Sequence, residues 1–335
     1  MANIVAAICM SHAPGASGWP EAPDQAVRER LGAIHGTIAD YLDAAKPDLL
    51  IALLNDHFEN HYRRLMPAFA IGVDASWMAP HIHLMSAIGY ANQVKVIGAP
   101  VQAERLISGL LDSGFDVARM EDVAFGNNLM TPLKLIRPDA DIPVLPIFTN
   151  VFTRPVVSTA RAYAFGQALR DICDRELGDA RIALLATGGL SHWPPIWTED
   201  APADDAFLQR MRKFQQHGPS VLEDDPHLLS DLGRYEMEMA ARGEFPLNHK
   251  HALINSSWDR QVMEAFGKGD ARFITSLTSG DIRESGGHGG IELLNWTIVM
   301  GAMDGRPATQ VGYEPVREFI CGMGYVVYPM SGQGV

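Results

Sequence analysis

The sequence predicts an α/β fold: one large domain, residues 1–335, with a central mostly parallel or mixed sheet flanked by helices and a helical insertion over about 199–254. Three observations carry this expectation. Short apolar runs without alternation recur along the chain, the clearest being 3–9 (NIVAAIC), 49–54 (LLIALL) and 181–187 (RIALLAT). Strands covered by helices on both faces read in this way, whereas half-solvated strands alternate. Between the first two runs, Val27, Leu31, Ile34, Ile38, Tyr41 and Leu42 fall at helical spacing, so strand, helix and strand make a βαβ unit. Finally, 47% hydrophobic and 20% charged residues over 335 positions suffice for a sizeable core.

Each element follows from its local chemistry. The first strand ends in Met10-Ser11-His12-Ala13-Pro14-Gly15, a loop that cannot continue it, and the helix over 24–45 stops at Pro47-Asp48. The second strand ends in Asn55-Asp56-His57. Residues 68–73 read as a strand, followed by a loop holding Pro80-His81-Ile82-His83. A helix over 101–113 and a strand over 115–120 come next, then a loop-like stretch, 122–133 (DVAFGNNLMTPL). Residues 143–148 read as a strand, 159–176 as a helix, and the strand at 181–187 ends in Gly188-Gly189-Leu190-Ser191-His192. The charged, Met- and Glu-rich stretch 201–251 has helical patterning and suits a lid or an oligomer contact. A helix over 258–267 precedes the glycine-dense Gly286-Gly287-His288-Gly289-Gly290, which runs into apolar residues 291–303. Glu292 falls in the first turn of that helix, where the N-terminal dipole favours a carboxylate. Residues 325–328 are expected to close the sheet as an edge strand.

Charge and cysteine content narrow the partners. A net charge of −13 argues against nucleic acid and anionic membrane, both of which reward a basic surface. Three scattered cysteines, Cys9, Cys173 and Cys321, form neither a disulfide framework nor zinc-finger spacing, which points to a reducing compartment. There is no basic-then-apolar leader and no run of roughly 18 apolar residues, so a cytoplasmic protein, assembled as a homo-oligomer, is expected.

In open α/β sheets, ligands bind beyond the carboxyl ends of the strands. His12, His57 and His192 all follow predicted strands. A lone histidine in such a loop is usually only a polar loop residue, but three pointing at one rim would be three coincidences. Two histidines and a carboxylate form the facial triad of non-haem Fe(II), which leaves positions open for a chelating substrate and O₂. Zinc takes the same donors in hydrolases, although the zinc-protease H-E-x-x-H motif is missing.

Four segments sharpen the choice: Ser11-His12-Ala13-Pro14, Asn55-Asp56-His57-Phe58, Gly188-Gly189-Leu190-Ser191-His192 and Gly289-Gly290-Ile291-Glu292. Together with residues 65–72 and 144–148, Trp193-Pro194-Pro195, Trp258-Asp259 and the closing Tyr313-Glu314-Pro315 to Gly322-Met323-Gly324, they resemble the class III extradiol ring-cleaving dioxygenases. The resemblance spans nearly the whole chain. It implies Fe(II) held by His12, His57 and Glu292, and His192 as the acid/base group for a substrate hydroxyl. An aromatic substrate and O₂ are the implied partners.

One departure stands out. The family carries a second histidine where this chain has Phe125 or Asn127, depending on whether the count starts from Gly126 or from Pro132. The loss suggests an altered substrate (an aminophenol, a hydroxypyridone or a heavily substituted catechol) or a proton delivered by His61, His249, His251 or His288. Phe125, Asn127, Asn128, Trp193 and His251 are the expected substrate contacts, with Trp197 a further aromatic near them. The competing readings are a zinc hydrolase on the same ligands and a non-catalytic subunit of an oxygenase complex.

Overall fold

The apolar runs become strands that are buried from end to end. The structure, a computed structural model, describes residues 4–178, 180–194, 204–243 and 253–329. Its strands are β1 (Ile4–Met10), β2 (Leu49–Asn55), β3 (Phe69–Gly72), β4 (Ser76–Ala79), β5 (Val94–Ile97), β6 (Ala118–Met120), β7 (Val144–Thr149), β8 (Ile182–Thr187), β9 (Thr309–Val316) and β10 (Cys321–Val327). Eight of them form one sheet in the order β6-β3-β7-β2-β8-β1-β10-β9, while β4 and β5 pair as a separate ribbon. The centre, β7-β2-β8-β1, is parallel. β3 runs antiparallel to β7, β10 to β1 and β9 to β10, so the sheet is mixed.

Alternation of side chains across the sheet divides the core in two. Ala7, Cys9, Ile51 and Leu53 face a layer containing the helices Thr159–Glu176 and Leu293–Ala302. Ile8, Met10, Leu50 and Ala52 face the helices Gln25–Ala45 and Asn127–Ile136. Helix starts are chemically marked: Asp24 accepts a hydrogen bond from Val27 N at 2.9 Å and Ser158 from Arg161 N at 3.1 Å, each satisfying an otherwise orphaned donor. Leu293–Ala302 is buried at all ten positions, as expected for a helix that is apolar on every side.

Two expectations are corrected. The C-terminal strand is not an edge: β10 lies between β1 and β9, and β9 forms the border. No strand was expected over Thr309–Val316, where Gly312 and Pro315 stand, but proline is tolerated on an edge strand, where its missing N–H faces no partner. The stretch 122–133 is not all loop, because Asn127–Ile136 is helical despite Pro132. In the described part of the insertion, helices Ala206–His217 and Leu228–Arg242 are tied by Arg210, which donates to Asp225 (2.7 Å) and Asp231 (2.8 Å). No helix among the described residues is long and apolar enough to cross a membrane.

Candidate metal centre

β2, β8 and β1 are neighbours and parallel, so the chain leaves all three at the same rim. His12 lies two residues past β1 and His57 two past β2. Glu292 ends the 3₁₀ turn Gly289–Glu292 and caps the helix that follows. These residues, at 4%, 8% and 1% exposure, are buried together. Glu292 Oε1 lies 3.4 Å from His12 Nε2 and 3.5 Å from His57 Nε2, and one ligand atom of each residue lies within 4.8 Å of the others. The sequence expectation brings three distant side chains to one point, and there they meet.

Surrounding groups fix how each points. Pro132 has no N–H to give the carbonyl four residues back, which frees Asn128 O. Thr187 takes it, donating its hydroxyl to Asn128 O at 2.7 Å. With its one proton committed, Thr187 Oγ1 can only accept from His12 Nδ1–H, 3.0 Å away. His12 Nε2 is therefore bare, and its lone pair faces a carboxylate oxygen. Two lone pairs opposed in a buried site repel unless a cation sits between them, so the donor set fits a metal ion.

Glu292 is equally constrained. Gly189 N donates to its Oε2 at 2.5 Å and Asn55 Nδ2 to its Oε1 at 3.1 Å. Asn295 Nδ2 in turn donates to Thr187 O (2.9 Å) and Asn55 Oδ1 (3.3 Å). Burial opposes ionisation of Glu292, but His12, His192 and His57 outweigh it and hold the carboxyl well below its ordinary range. Burial lowers His12, whereas for His57 the Glu292 and Glu59 carboxylates overcome burial and raise it. Gly188 has φ +115°, and a Cβ there would come within 2.7 Å of Glu292 Cβ. Gly188→Ala is expected to cost about 1–3 kcal/mol of stability by chemical denaturation; an unchanged midpoint would contradict the close contact.

The loop bearing His192 is held by a buried carboxylate. Asp259 accepts from Ser191 N (2.8 Å), Ser191 Oγ (2.7 Å) and Tyr313 Oη (2.7 Å). His192 N donates to Gly286 O at 2.9 Å, and Gly289 N returns a bond to His192 O at 3.2 Å. A side chain at Gly289 would collide with the His192 ring. Leu190 O, which can only accept, takes His192 Nδ1–H at 3.0 Å. This leaves Nε2 bare, 3.8 Å from Glu292 Oε2 and facing the cavity over the cluster.

The other expected substrate contacts divide. Asn127 lines the cavity and donates to His12 O at 3.1 Å. Phe125 does not: at 1% exposure it lies in the core, edge-on to Trp77 at 5.2 Å and stacked on Phe148 at 6.2 Å. Asn128 is also internal, with Nδ2 donating to Asn55 O at 2.8 Å, so it braces the rim. Trp193 packs with Met239, Leu253 and Ile320 in a satellite cluster. His251, His249 and Trp197 lie outside the described residues. His61 faces Asp56 at 3.9 Å rather than the cavity. His288, at the N-cap of the 3₁₀ turn, does not line it either.

Sequence reasoning missed three polar residues of the cavity wall, Glu59, His81 and Glu236. Glu59 accepts from His57 N at 2.6 Å, and burial, reinforced by Asp56, pushes its carboxyl up to about 8. Burial, then His83, lowers His81. Glu59, two residues past His57, was within reach of the motif; Glu236 could be found only by asking which helical face of the insertion is apolar.

A mixed α/β sheet with two histidines and a glutamate converging at the carboxyl ends of its parallel strands is the build of a metalloenzyme. Residues 6–327 match the family described as the catalytic LigB subunit of aromatic ring-opening dioxygenase, and the chain belongs to that family, a ring-cleaving dioxygenase of the class III extradiol type. It is 30% identical to a 2,3-dihydroxyphenylpropionate/2,3-dihydroxicinnamic acid 1,2-dioxygenase of Photorhabdus laumondii, covering 95% of each chain. Proteins of the same description are similar at 26% in Rhodococcus globerulus (95% of this chain, 96% of the other) and at 27% in Burkholderia vietnamiensis (94% of each).

Proposed function

We propose that this protein is an Fe(II)-dependent extradiol dioxygenase that opens the ring of a substituted catechol or a related aromatic, such as an aminophenol or hydroxypyridone. In this reading His12, His57 and Glu292 hold the ferrous ion and His192 handles the proton. The observation that carries it is the convergence of ligand atoms within 4.8 Å, with the bare His12 Nε2 among them, on the floor of a cavity that His192 also enters. When bound, ferrous iron supplies the open coordination positions and the redox chemistry with O₂.

The chain's own groups do the rest. His192, anchored through Nδ1–H, presents Nε2 to take the proton of a substrate hydroxyl and later return it, which contributes typically ~10²–10⁴-fold. Phe152, Phe214 and Leu229 form apolar walls that exclude water and accept an aromatic ring. Asn127, one of the two positions that stand against the family's histidine, offers an amide that cannot exchange a proton at neutral pH. A zinc hydrolase on the same donors is not favoured, since the relatives are oxygenases.

The test is anaerobic reconstitution with Fe(II) or Zn(II), then O₂ uptake and yellow ring-opened product across aromatic diols and aminophenols. Uptake with iron alone is expected; no uptake on any ring compound would end this reading. Thr187→Val is expected to weaken ferrous binding by about 10–100-fold in chelator competition, with Thr187→Ser retaining most of the affinity. Equal affinity in Thr187→Val would remove Thr187 from the orientation of His12.

A further inference from the structure

The cavity has two unlike sides. The sheet side carries the His12–His57–Glu292 cluster and His192, and the opposite side is built by the insertion. On the helix Leu228–Arg242, the residues Leu229, Leu232, Gly233 and Glu236 recur three and four apart, so a single face turns to the cavity. Three of these four are apolar or lack a side chain, and Phe214 and Leu222 extend the apolar surface. Glu236 ends this face with the carboxyl that the insertion contributes.

The wall holds no fixed cation among its described residues. Among the described lining residues there is no lysine or arginine; the ionisable side chains besides Cys321 are histidines and the carboxyls of Glu59, Glu236 and Glu292. Glu59 is occupied by His57 N, and Glu292 by Gly189 N and Asn55 Nδ2. Glu236 has no such donor among the described residues. Burial pushes its carboxyl up to about 7, with His57 pulling it back. A carboxylate facing a second carboxylate in one low-dielectric cavity is disfavoured, whereas one facing a hydroxyl, amide or amine gains a hydrogen bond.

We infer that Glu236 selects the substrate: the aromatic opened here, on the reading above, carries an apolar tail with a hydrogen-bond donor and no carboxylate. The relatives' substrate, by its printed name, ends in a propionate, and this wall rejects that group. Specificity of this kind comes as much from the unfavourable pairing as from the favourable one. The ring is held at the metal cluster and its tail meets the face formed by Leu229, Leu232 and Glu236.

The test separates tail recognition from turnover. Anaerobic calorimetry of the iron-loaded enzyme at about pH 8.5, well above the ordinary carboxylate range, compares meta-(hydroxypropyl)phenol with meta-hydroxyphenylpropionate, neither of which can chelate as a catechol. The hydroxypropyl probe is expected to bind at least ~10-fold tighter, the gap closing to within about threefold in Glu236→Gln and reversing in Glu236→Lys. Propionate binding as tightly as the hydroxypropyl probe in the wild type, or a ratio unmoved by Glu236→Gln, would overturn the inference. The corresponding catechols are then followed by O₂ uptake. If the calorimetric preference holds but no catechol is opened, the ring-opening reading fails while the Glu236 assignment stands. If catechols are opened and the propionate is preferred, the assignment fails and the ring-opening reading stands.

Discussion

Glu292→Gln is expected to abolish stable ferrous binding and to slow O₂ consumption at least ~10³-fold, the largest effect of any single substitution in this chain. Both carboxylate oxygens are already engaged, Oε1 by Asn55 Nδ2 and Oε2 by Gly189 N. An amide has one acceptor and one donor end, so either way round it turns an NH₂ toward one of these donors. On the proposed ligand set the ion would also lose its one anionic ligand. Metal-free stability should fall by about 1–3 kcal/mol, the usual cost of leaving a buried donor unpaired. Iron content by colorimetric chelation, O₂ uptake and denaturant unfolding measure the three effects. A variant with stoichiometric iron and turnover within about tenfold of wild type would remove Glu292 from the metal site.

His192→Gln is expected to lower kcat by about 10²–10⁴-fold while leaving iron content unchanged. Its ring does not share the three-way contact of His12, His57 and Glu292, but stands 3.8 Å from the second carboxylate oxygen. A glutamine can fill the space and still bond to Leu190 O, yet it cannot exchange a proton. The loss should therefore appear in kcat rather than in metal affinity, and added imidazole should restore part of the rate in His192→Ala. Iron loss in step with activity would make His192 a structural neighbour of the metal and not the proton carrier.

Much of the candidate metal site was legible in the sequence because its signals are local. A strand buried on both faces must be apolar throughout, and β1, β2 and β8 read so before any coordinates. Each ends in a polar or glycine-rich loop, which puts His12, His57 and His192 at strand exits. Phe125 was the opposite case. Alignment to a missing histidine suggested a substrate contact, yet an aromatic side chain goes where it finds most apolar contact, and Trp77 and Phe148 provide it. Asn128 was misjudged for a related reason, since nothing local shows that Pro132 frees its carbonyl for Thr187.

The border strand β9 and the inward face of Leu228–Arg242 were hidden for a different reason. Thr309–Val316 pairs with β10 across the short link Arg317–Phe319, but Gly312 and Pro315 within it carry the chemistry of a turn rather than of a strand. Whether Glu236 faces water or a cavity depends on how the insertion packs over the sheet.

The sequence by itself determined which segments form strands and helices, that a histidine leaves three of those strands, and that Glu292 heads a buried helix. These depend on periodicity and chain breakers acting within a few residues of one another. Only the tertiary structure decided that β2, β8 and β1 lie side by side, that Thr187 turns His12 Nε2 toward Glu292, and that a carboxyl from the insertion lines the cavity. Those outcomes rest on pairing and packing between segments more than a hundred residues apart, where the position of one atom is set by all the others.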